Sequence, residues 1–331
     1  MAARHNFAQP ATRKVSIGFL GSNPDPISLR AQVEPLRHGL RELGWTEGQN
    51  LAPIEFRWSE GKHERFPVLI DELLRLDLDL LVTTSPRPAM LAKEATKTLP
   101  IVAIGVDDPV EMRLVANIAR PGGNITGISA AFSGLLPKRL QLLKEIVPEA
   151  RRLAIVFNPI SASPKSLADS VPLWEARLGV AVSLVEVRGL EDFAIAFALM
   201  EKERVNGVVF VADAMIWTHR AKLGELCLKR GLPSVWGGGS YLDAGGLASY
   251  QGDWPAMFRR AAVLVDKILK GTKPGEIPFE QGTKLELVVN LKGARALGIT
   301  IPKSVLLKRG RGDRMTTRRT FLDLVSQTRR L

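Results

Sequence analysis

The chain has 331 residues, of which 45% are hydrophobic and 24% charged, a balance typical of a soluble globular protein long enough for two domains of about 150 residues each. The formal net charge of +12 at pH 7 lies mostly at the ends, because residues 1–14 carry +3 and residues 308–331 carry +6, which leaves +3 for the long body between them. A body so close to neutral argues against a nucleic-acid-binding domain, which usually carries a basic stripe on one folded face.

The first half of the chain alternates strand-like and helix-like patterns. Apolar residues recur every three or four positions from Leu29 to Leu43, which predicts a helix that stops at Gly44, and again from Phe66 to Leu74. A third helix is predicted from about residue 88 to residue 98. The predicted strands are the apolar runs Val15–Leu20, Ile54–Trp58, Leu78–Thr83 and Pro100–Ile104.

The second half repeats this plan after a turn-rich join at residues 120–127. Strands are predicted at Arg152–Phe157, Val180–Val187, Gly207–Val211 and Pro233–Trp236. Helices are predicted near residues 137–147, 165–178, 190–204 and 218–230. Such β-α repeats with near-continuous apolar strands favour parallel sheets covered on both faces, so we expect an α/β protein with two doubly wound, Rossmann-like domains.

Further elements follow the second unit. Strands are predicted at Leu247–Tyr250 and Lys284–Val289, and helices at residues 254–270 and 291–297. We place these pieces by letting the chain cross back to the first domain and then return to the second.

The rarer residues exclude several kinds of site. The single cysteine, Cys227, excludes an intramolecular disulfide and a cysteine-clustered metal site, and its apolar helical stripe predicts a buried, unreactive thiol. No apolar run reaches the 18 or so residues of a membrane span, and residues 1–14 hold no apolar stretch typical of a secretory signal. Metal-ligand spacing is absent among His5, His38, His63 and His219.

Enzyme signatures are also missing from the sequence. The first strand runs into residues 21–26, GSNPDP, which is not a dinucleotide-binding fingerprint, and neither a phosphate-binding loop nor a nucleophile elbow occurs. The glycine run 237–239 follows a predicted strand. It either cradles an anion through backbone N–H groups or lets two loops pass closely.

Short polar residues follow the predicted strands, where ligands bind in doubly wound sheets. Hydroxyls and amides suit a carboxylate, and an aspartate suits an ammonium group. Each residue has the alternative role of a turn or helix cap, but as a set along two facing edges they favour a small-ligand cleft. The set is Ser22, Asn23, Thr83, Thr84, Ser85, Asp107, Asp108, Asn158, Asp213, Ser240 and Tyr241.

The neighbouring carboxylates Asp107 and Asp108 raise the question of acid–base chemistry. Adjacent side chains on a regular strand point to opposite faces, so these two do not form a catalytic pair. We expect one of them to contact ligand and the other to cap a turn.

Seven segments, taken in order, carry a resemblance to a known family. They are residues 39–50 (GLRELGWTEGQN), 56–61 (FRWSEG), 118–127 (IARPGGNITG), 139–148 (RLQLLKEIVP), 244–250 (AGGLASY), 259–271 (RRAAVLVDKILKG) and 285–292 (LELVVNLK). The chain resembles, over about residues 14–305, the ABC transporter substrate-binding proteins that include tryptophan/tyrosine-type binding proteins. The resemblance implies the type I periplasmic-binding-protein fold, in which two α/β lobes joined by three hinge crossings close on a ligand.

This resemblance implies a division into lobes and a binding site. The first lobe takes residues 14–125 and 247–276, the second takes 126–246 and 277–303, and the basic tails 1–13 and 304–331 are expected to be disordered. No catalytic residue, metal or cofactor is implied. The implied pocket draws on Ser22, Asn23, Thr84, Ser85, Asp107, Asn158, Asp213, Gly237 and Tyr241.

The implied partners are a small polar ligand, for which an amino acid is a candidate, and an inner-membrane permease. A periplasmic monomer that binds no nucleic acid is expected. No export leader is visible, and residues 315–322 (MTTRRTFL) look like the start of a twin-arginine signal at the wrong end of the chain. From these departures we expect either a true start upstream of Met1 or a frameshift.

Two other functions compete with this interpretation. One is an enzyme on the same doubly wound fold, which the missing signatures disfavour. The other is a ligand-sensing transcriptional regulator, which needs a helix-turn-helix ahead of the first strand, where only 14 residues precede Val15. A nucleic-acid role for the basic tail alone is a further alternative.

Overall fold

The computed structural model of the chain describes residues 13–22, 29–130, 132–237, 242, 245–282, 285–306 and 314–316. The strands are β1 Ile17–Gly21, β2 Glu55–Trp58, β3 Leu80–Thr84, β4 Ile101–Val106, β5 Ile125–Ser129, β6 Arg152–Phe157, β7 Ala181–Glu186, β8 Gly207–Phe210, β9 Ser234–Trp236, β10 Ala248–Gly252, β11 Glu280–Gln281, β12 Leu285–Val289 and β13 Arg314–Thr316. The α-helices are α1 Glu34–Glu42, α2 Phe66–Leu74, α3 Pro86–Ala95, α4 Phe132–Ile146, α5 Pro164–Leu178, α6 Asp192–Lys202, α7 Ala214–Thr218, α8 Arg220–Lys229, α9 Trp254–Leu269, α10 Leu291–Ala296 and α11 Lys303–Leu306.

These elements form two lobes, each built on one sheet. The first sheet has the strand order β11-β5-β4-β3-β1-β2, and all its neighbours pair in parallel. The second has the order β13-β12-β10-β9-β8-β6-β7 and is parallel except where β10 meets β12. The predicted α/β architecture with two doubly wound, largely parallel sheets is therefore confirmed.

Each sheet has apolar packing on both faces, as expected where strands such as β1, β3 and β4 are buried along their whole length. In the first lobe, one layer packs α1 and α9 on the sheet and the other packs α2 and α3. In the second lobe, α4, α5 and α10 form one layer, and α6, α7 and α8 form the other. Alternate side chains of a strand enter opposite layers, so Ile155 belongs to one core of the second lobe and Val156 to the other.

The chain crosses between the lobes three times, but the crossings lie later than the sequence indicated. Residues 126–129 are expected from the sequence to open the second lobe, yet β5 lies in the first sheet because its backbone pairs in register with β4. The strand in 247–252 was expected in the first lobe, yet β10 pairs with β9 and β12 in the second sheet. Similarly, β11 pairs with β5 in the first sheet, although residues 277–303 were expected in the second lobe.

Helix α9 returns to the first lobe as expected, and it packs closely on α1. At their crossing, a Cβ added to Gly39 would lie 2.7 Å from the Cβ of Ala262 and 2.9 Å from the carbonyl oxygen of Arg259. Glycine at position 39 therefore allows the two helices to approach each other more closely than any other residue would.

Parts of the two basic tails are built into the fold, so the expectation of disorder is wrong for them. The Arg13 guanidinium lies 3.0 Å from the Asp77 carboxylate and 3.1 Å from that of Asp79. At the other end, Val305 of α11 is completely buried, and β13 adds a parallel strand to β12. The remaining tail residues lie outside the described part of the chain.

Candidate functional site

The carboxyl ends of the strands carry most of the residues that the sequence singled out. In the first lobe, Ser22 follows β1, Thr84 ends β3 and Asp107 follows β4. In the second, Asn158 follows β6 and Gly237 follows β9. The predicted residues Asn23, Ser240 and Tyr241 lie outside the described residues, as do positions 238 and 239 of the glycine run.

The first-lobe edge presents three hydroxyls on neighbouring strands. The Thr84 side chain is nearly buried, and its Oγ1 donates to the carbonyl of Leu20 at 3.4 Å. Ser85 precedes α3 with φ of +75°, a left-handed conformation that costs energy in a non-glycine residue, and its hydroxyl makes no capping bond to the helix. The helix-cap alternative is therefore excluded for Ser85, and strain of this kind is typical of functional positions.

The two adjacent aspartates lie in different environments. The Asp108 carboxylate accepts hydrogen bonds from the backbone N–H groups of Val110 (2.8 Å) and Glu111 (3.0 Å), which confirms the cap. Asp107 is half-buried, and its backbone carbonyl accepts a hydrogen bond from the Ser129 hydroxyl. It lines a cavity of about 250 Å³ at the ends of β4, β5 and β11, together with Ser129 and Phe279.

Asp213 is a heavily hydrogen-bonded group at the second-lobe edge. Its Oδ1 accepts the backbone N–H groups of Met215 (2.8 Å) and Ile216 (3.1 Å) at the start of α7, and lies 3.5 Å from the Asn158 amide nitrogen. Its Oδ2 accepts the Ser161 hydroxyl at 2.5 Å and lies 2.9 Å from His63 Nε2. The carboxylate therefore caps a helix through one oxygen and binds two side chains through the other.

Competing effects set the protonation of this carboxylate. Burial by itself would raise the pKa of Asp213, but the hydrogen bond and charge of His63, the Ser161 hydroxyl and the Ile216 N–H together hold the pKa below its ordinary value. Asp213 is therefore ionised at neutral pH although its side chain is completely buried.

His63 is a site residue that the sequence did not indicate. It lies in the turn between β2 and α2, in the first lobe, and reaches Asp213 in the second, 150 positions away in the chain. Next to it, a Cβ added to Gly61 would lie 2.7 Å from the Cβ of Thr218 in α7. The turn after β2 and the turn and helix after β8 are thus in direct contact across the cleft.

Gly237 permits a close approach of a different kind. A Cβ at this position would lie 3.2 Å from Nη2 of Arg139, which is 1% exposed and donates from Nε to the Tyr250 carbonyl at 2.8 Å. For Gly237 the structure supports close packing of neighbouring segments. Arg139 was missed because its sequence context, a helix in a leucine-rich stretch, gives no sign that its guanidinium is buried at a strand edge.

Metal and thiol chemistry find no support in the described residues. Among them, no cluster of three or more histidine, cysteine, aspartate or glutamate side chains is placed to hold a metal ion. Burial raises the pKa of the Cys227 thiol to about 12, against smaller opposing effects of Ser234 and Arg230, so it is protonated and unreactive. None of the described helices is long and apolar enough to span a bilayer.

Comparison with known proteins gives a consistent result. The family described as "ABC transporter substrate binding protein" matches residues 25–311. A tyrosine-binding protein of Clostridioides difficile (strain R20291) is 23% identical over 258 residues, which cover 78% of this chain and 74% of that protein. A 4-hydroxy-tetrahydrodipicolinate synthase of Thermomicrobium roseum is 31% identical over 120 residues, which cover only 36% of this chain and 38% of that protein.

Solved structures resemble the chain over almost its whole length. The structure of an ABC domain in complex with L-Trp from Streptococcus pneumonia is 25% identical, has a TM-score of 0.80, and covers 92% of this chain and 100% of that one. The fold that these neighbours share confirms the type I periplasmic-binding-protein architecture.

Proposed function

The chain belongs to the ABC transporter substrate binding protein family, and we propose that it clamps an amino acid between its two lobes and delivers it to an inner-membrane permease. The observation that carries this proposal is that the polar carboxyl ends of both sheets meet, since His63 of the first lobe contacts Asp213 of the second. A tyrosine-binding relative and a structural neighbour in complex with L-Trp support an amino acid as the ligand.

The residues at the two edges suit the two charged ends of an amino acid. We assign the carboxylate of the ligand to the hydroxyls of Ser22 and Ser85, because hydroxyl donors satisfy a carboxylate without a competing charge. Thr84 belongs to the same proposed edge, but its hydroxyl donates to the Leu20 carbonyl. The remaining members of the proposed site are Asn23, Asn158, Gly237 and Tyr241.

Of the two candidate carboxylates, we assign the ligand ammonium to Asp107. A carboxylate has about four lone-pair sites, and Asp213 already has five neighbouring donors. Asp107 lines a cavity at the same edge of the first sheet as the three hydroxyls. Asp213 keeps its place in the site as a group that shapes the facing edge.

The rest of the assignment follows from this role. We propose a periplasmic monomer that makes and breaks no covalent bond and binds no nucleic acid. The 120-residue likeness to a synthase does not carry an enzyme function here, because it covers 38% of that protein. Turnover of a bound compound would reverse this part of the proposal.

The experiment is a thermal-shift screen of amino acids and small carboxylates with variants at the paired aspartates. A ligand bound only by the folded state raises the melting temperature, so we expect L-tryptophan or L-tyrosine to do so in the wild type. Asp107→Asn should reduce the affinity for that amino acid by about 30-fold or more, or about 2 kcal/mol. The matched control Asp108→Asn should have a much smaller effect, because the Asp108 carboxylate, although it also borders the cavity, is already bound by the N–H groups of Val110 and Glu111.

Two results would contradict the proposal. Stabilisation by none of the amino acids would exclude this ligand class. Equal affinities of the wild type and Asp107→Asn would remove Asp107 from the site while leaving ligand binding intact.

A further inference from the structure

The contact between His63 and Asp213 has features that a ligand site does not require. It joins the two lobes directly, through a 2.9 Å hydrogen bond between side chains that are 11% and 0% exposed. The imidazole also packs edge-on against Phe66 at 5.8 Å, and the Asp213 oxygen that it meets is fixed by the Ser161 hydroxyl. Both partners are therefore held in position by their own lobes before they meet.

This contact lies far from the hinge between the lobes. His63 follows β2, which is the edge strand of the first sheet, whereas the chain leaves this lobe after β5 and after β11, at the opposite edge. The third crossing enters the lobe at Trp254 of α9, which packs against Gly105 of β4. The contact thus lies on the side of the cleft away from the hinge. Because a hinge rotation moves that side farthest, a bond there is broken by a small opening.

Beside this hydrogen bond, the two lobes also pack directly against each other. Gly61 adopts φ of +78° and lies so near Thr218 that a side chain at position 61 would prevent the approach. Its N–H donates to the carbonyl of Ser22, which ties the turn to the end of β1. The first-lobe turn is therefore a rigid surface shaped to meet α7.

We propose that His63 and Asp213 form a latch that holds the lobes closed, so that His63 sets ligand affinity without contacting the ligand. The proposal rests on the proposed binding function, because closure matters only to a protein that binds in its cleft. His63 is a positioning residue in this account. Its loss reduces the closed population, and the apparent affinity falls in proportion to that population.

The latch makes a prediction that separates it from a ligand contact. A residue that binds the ligand ammonium distinguishes an amino acid from its desamino analogue, and a latch does not. His63→Ala should therefore weaken L-tryptophan and 3-indolepropionate by the same factor, roughly tenfold to a hundredfold, as expected for a hydrogen bond to a charged group. Asp107→Asn should instead weaken L-tryptophan selectively.

The direct test measures closure with no ligand added. Cysteines replacing the exposed residues Asp71 in α2 and Lys222 in α8 would carry a fluorophore pair, while the buried, protonated Cys227 stays unlabelled. Single-molecule energy transfer should show longer distances in His63→Ala than in the wild type. His63→Gln keeps an N–H donor, so its distances should lie between those of His63→Ala and the wild type. The control His38→Ala removes an exposed histidine paired with Glu42 inside the first lobe, and its distances should equal those of the wild type.

The outcomes separate this proposal from the preceding one. If the distance distributions of His63→Ala and the wild type superimpose, whether both proteins are open or both closed, the latch is overturned. Amino acid binding, where it is observed, would be unaffected by that result. Longer distances in a correctly folded His63→Ala protein, with binding of no amino acid, would uphold the latch and overturn the ligand assignment.

Discussion

Replacing Asp213 by asparagine isolates the charge of this buried carboxylate from its role as a helix cap. Asparagine caps helices as well as aspartate does, so its carbonyl can keep the bonds to the N–H groups of Met215 and Ile216. The amide nitrogen then replaces Oδ2, which accepts from Ser161 and faces His63. The variant thus loses a charged acceptor and leaves the helix end satisfied.

The magnitude follows from the two bonds that change. A hydrogen bond to a charged group contributes about 1.5–3 kcal/mol, and the Ser161 hydroxyl can turn round to accept from the new amide. We therefore expect a net loss of about 2 kcal/mol in the free energy of unfolding at neutral pH. In a domain of 150–250 residues this corresponds to a fall of roughly 4–8 °C in melting temperature. Asp213→Ala should cost about 1 kcal/mol more, because it also removes the cap.

The assay is thermal unfolding followed by circular dichroism over a series of pH values. The pKa of Asp213 is lowered in the folded protein from an ordinary value of 3.8, so its contribution is fully present above that value and is lost as the pH falls through the lowered pKa. The asparagine does not titrate. The difference in melting temperature between wild type and variant should therefore shrink as the pH falls from about 5 to about 3.

Two results would refute this reasoning. A difference that stays constant over the whole acid range would show that the charge of Asp213 contributes nothing. Equal melting temperatures at neutral pH would show that the bonds to Ser161 and His63 are not stabilising.

Two further predictions concern packing and the buried thiol. Gly39→Ala should lower the free energy of unfolding, measured by urea denaturation, by about 1–3 kcal/mol, because its Cβ would overlap Ala262. The control Gly134→Ala, which has open space around it, should not lower it. Equal effects of the two substitutions would contradict the tight α1–α9 crossing. Cys227 should react with a thiol reagent in mildly alkaline buffer only after the protein is unfolded, because burial raises the pKa of its thiol to about 12. Rapid reaction of the native protein would contradict this burial.

The sequence predicts the elements well wherever an apolar run is long and bounded by turns. The strand Arg152–Phe157 has the predicted limits, since five of its six residues are buried between two layers of helices. The sequence hides β5, however, because the glycines and threonine of residues 122–127 are typical of turns. Gly127 is needed for another reason, since a side chain there would collide with the carbonyl of Ala103 in the neighbouring strand.

The same reasoning predicts only part of the candidate site. Asn158 and Asp213 could be predicted to lie together, because parallel strands bring their carboxyl ends to one edge of a sheet. Nδ2 of Asn158 lies 3.5 Å from Oδ1 of Asp213. His63 could not, because the distance between two lobes depends on how the hinge closes and no periodicity records it. Its place in a polar turn between a strand and a helix resembles an ordinary solvated loop.

The most direct test of the central claim is a calorimetric titration of L-tryptophan and 3-indolepropionate into the wild type and Asp107→Asn. The account predicts one molecule bound per chain, with the wild type preferring the amino acid by roughly tenfold or more over the analogue that lacks the ammonium group. In Asp107→Asn this preference should disappear. A saturable titration with the same preference in both proteins would contradict the assigned ammonium site, and no saturable heat with L-tryptophan or L-tyrosine would contradict the clamped amino acid itself.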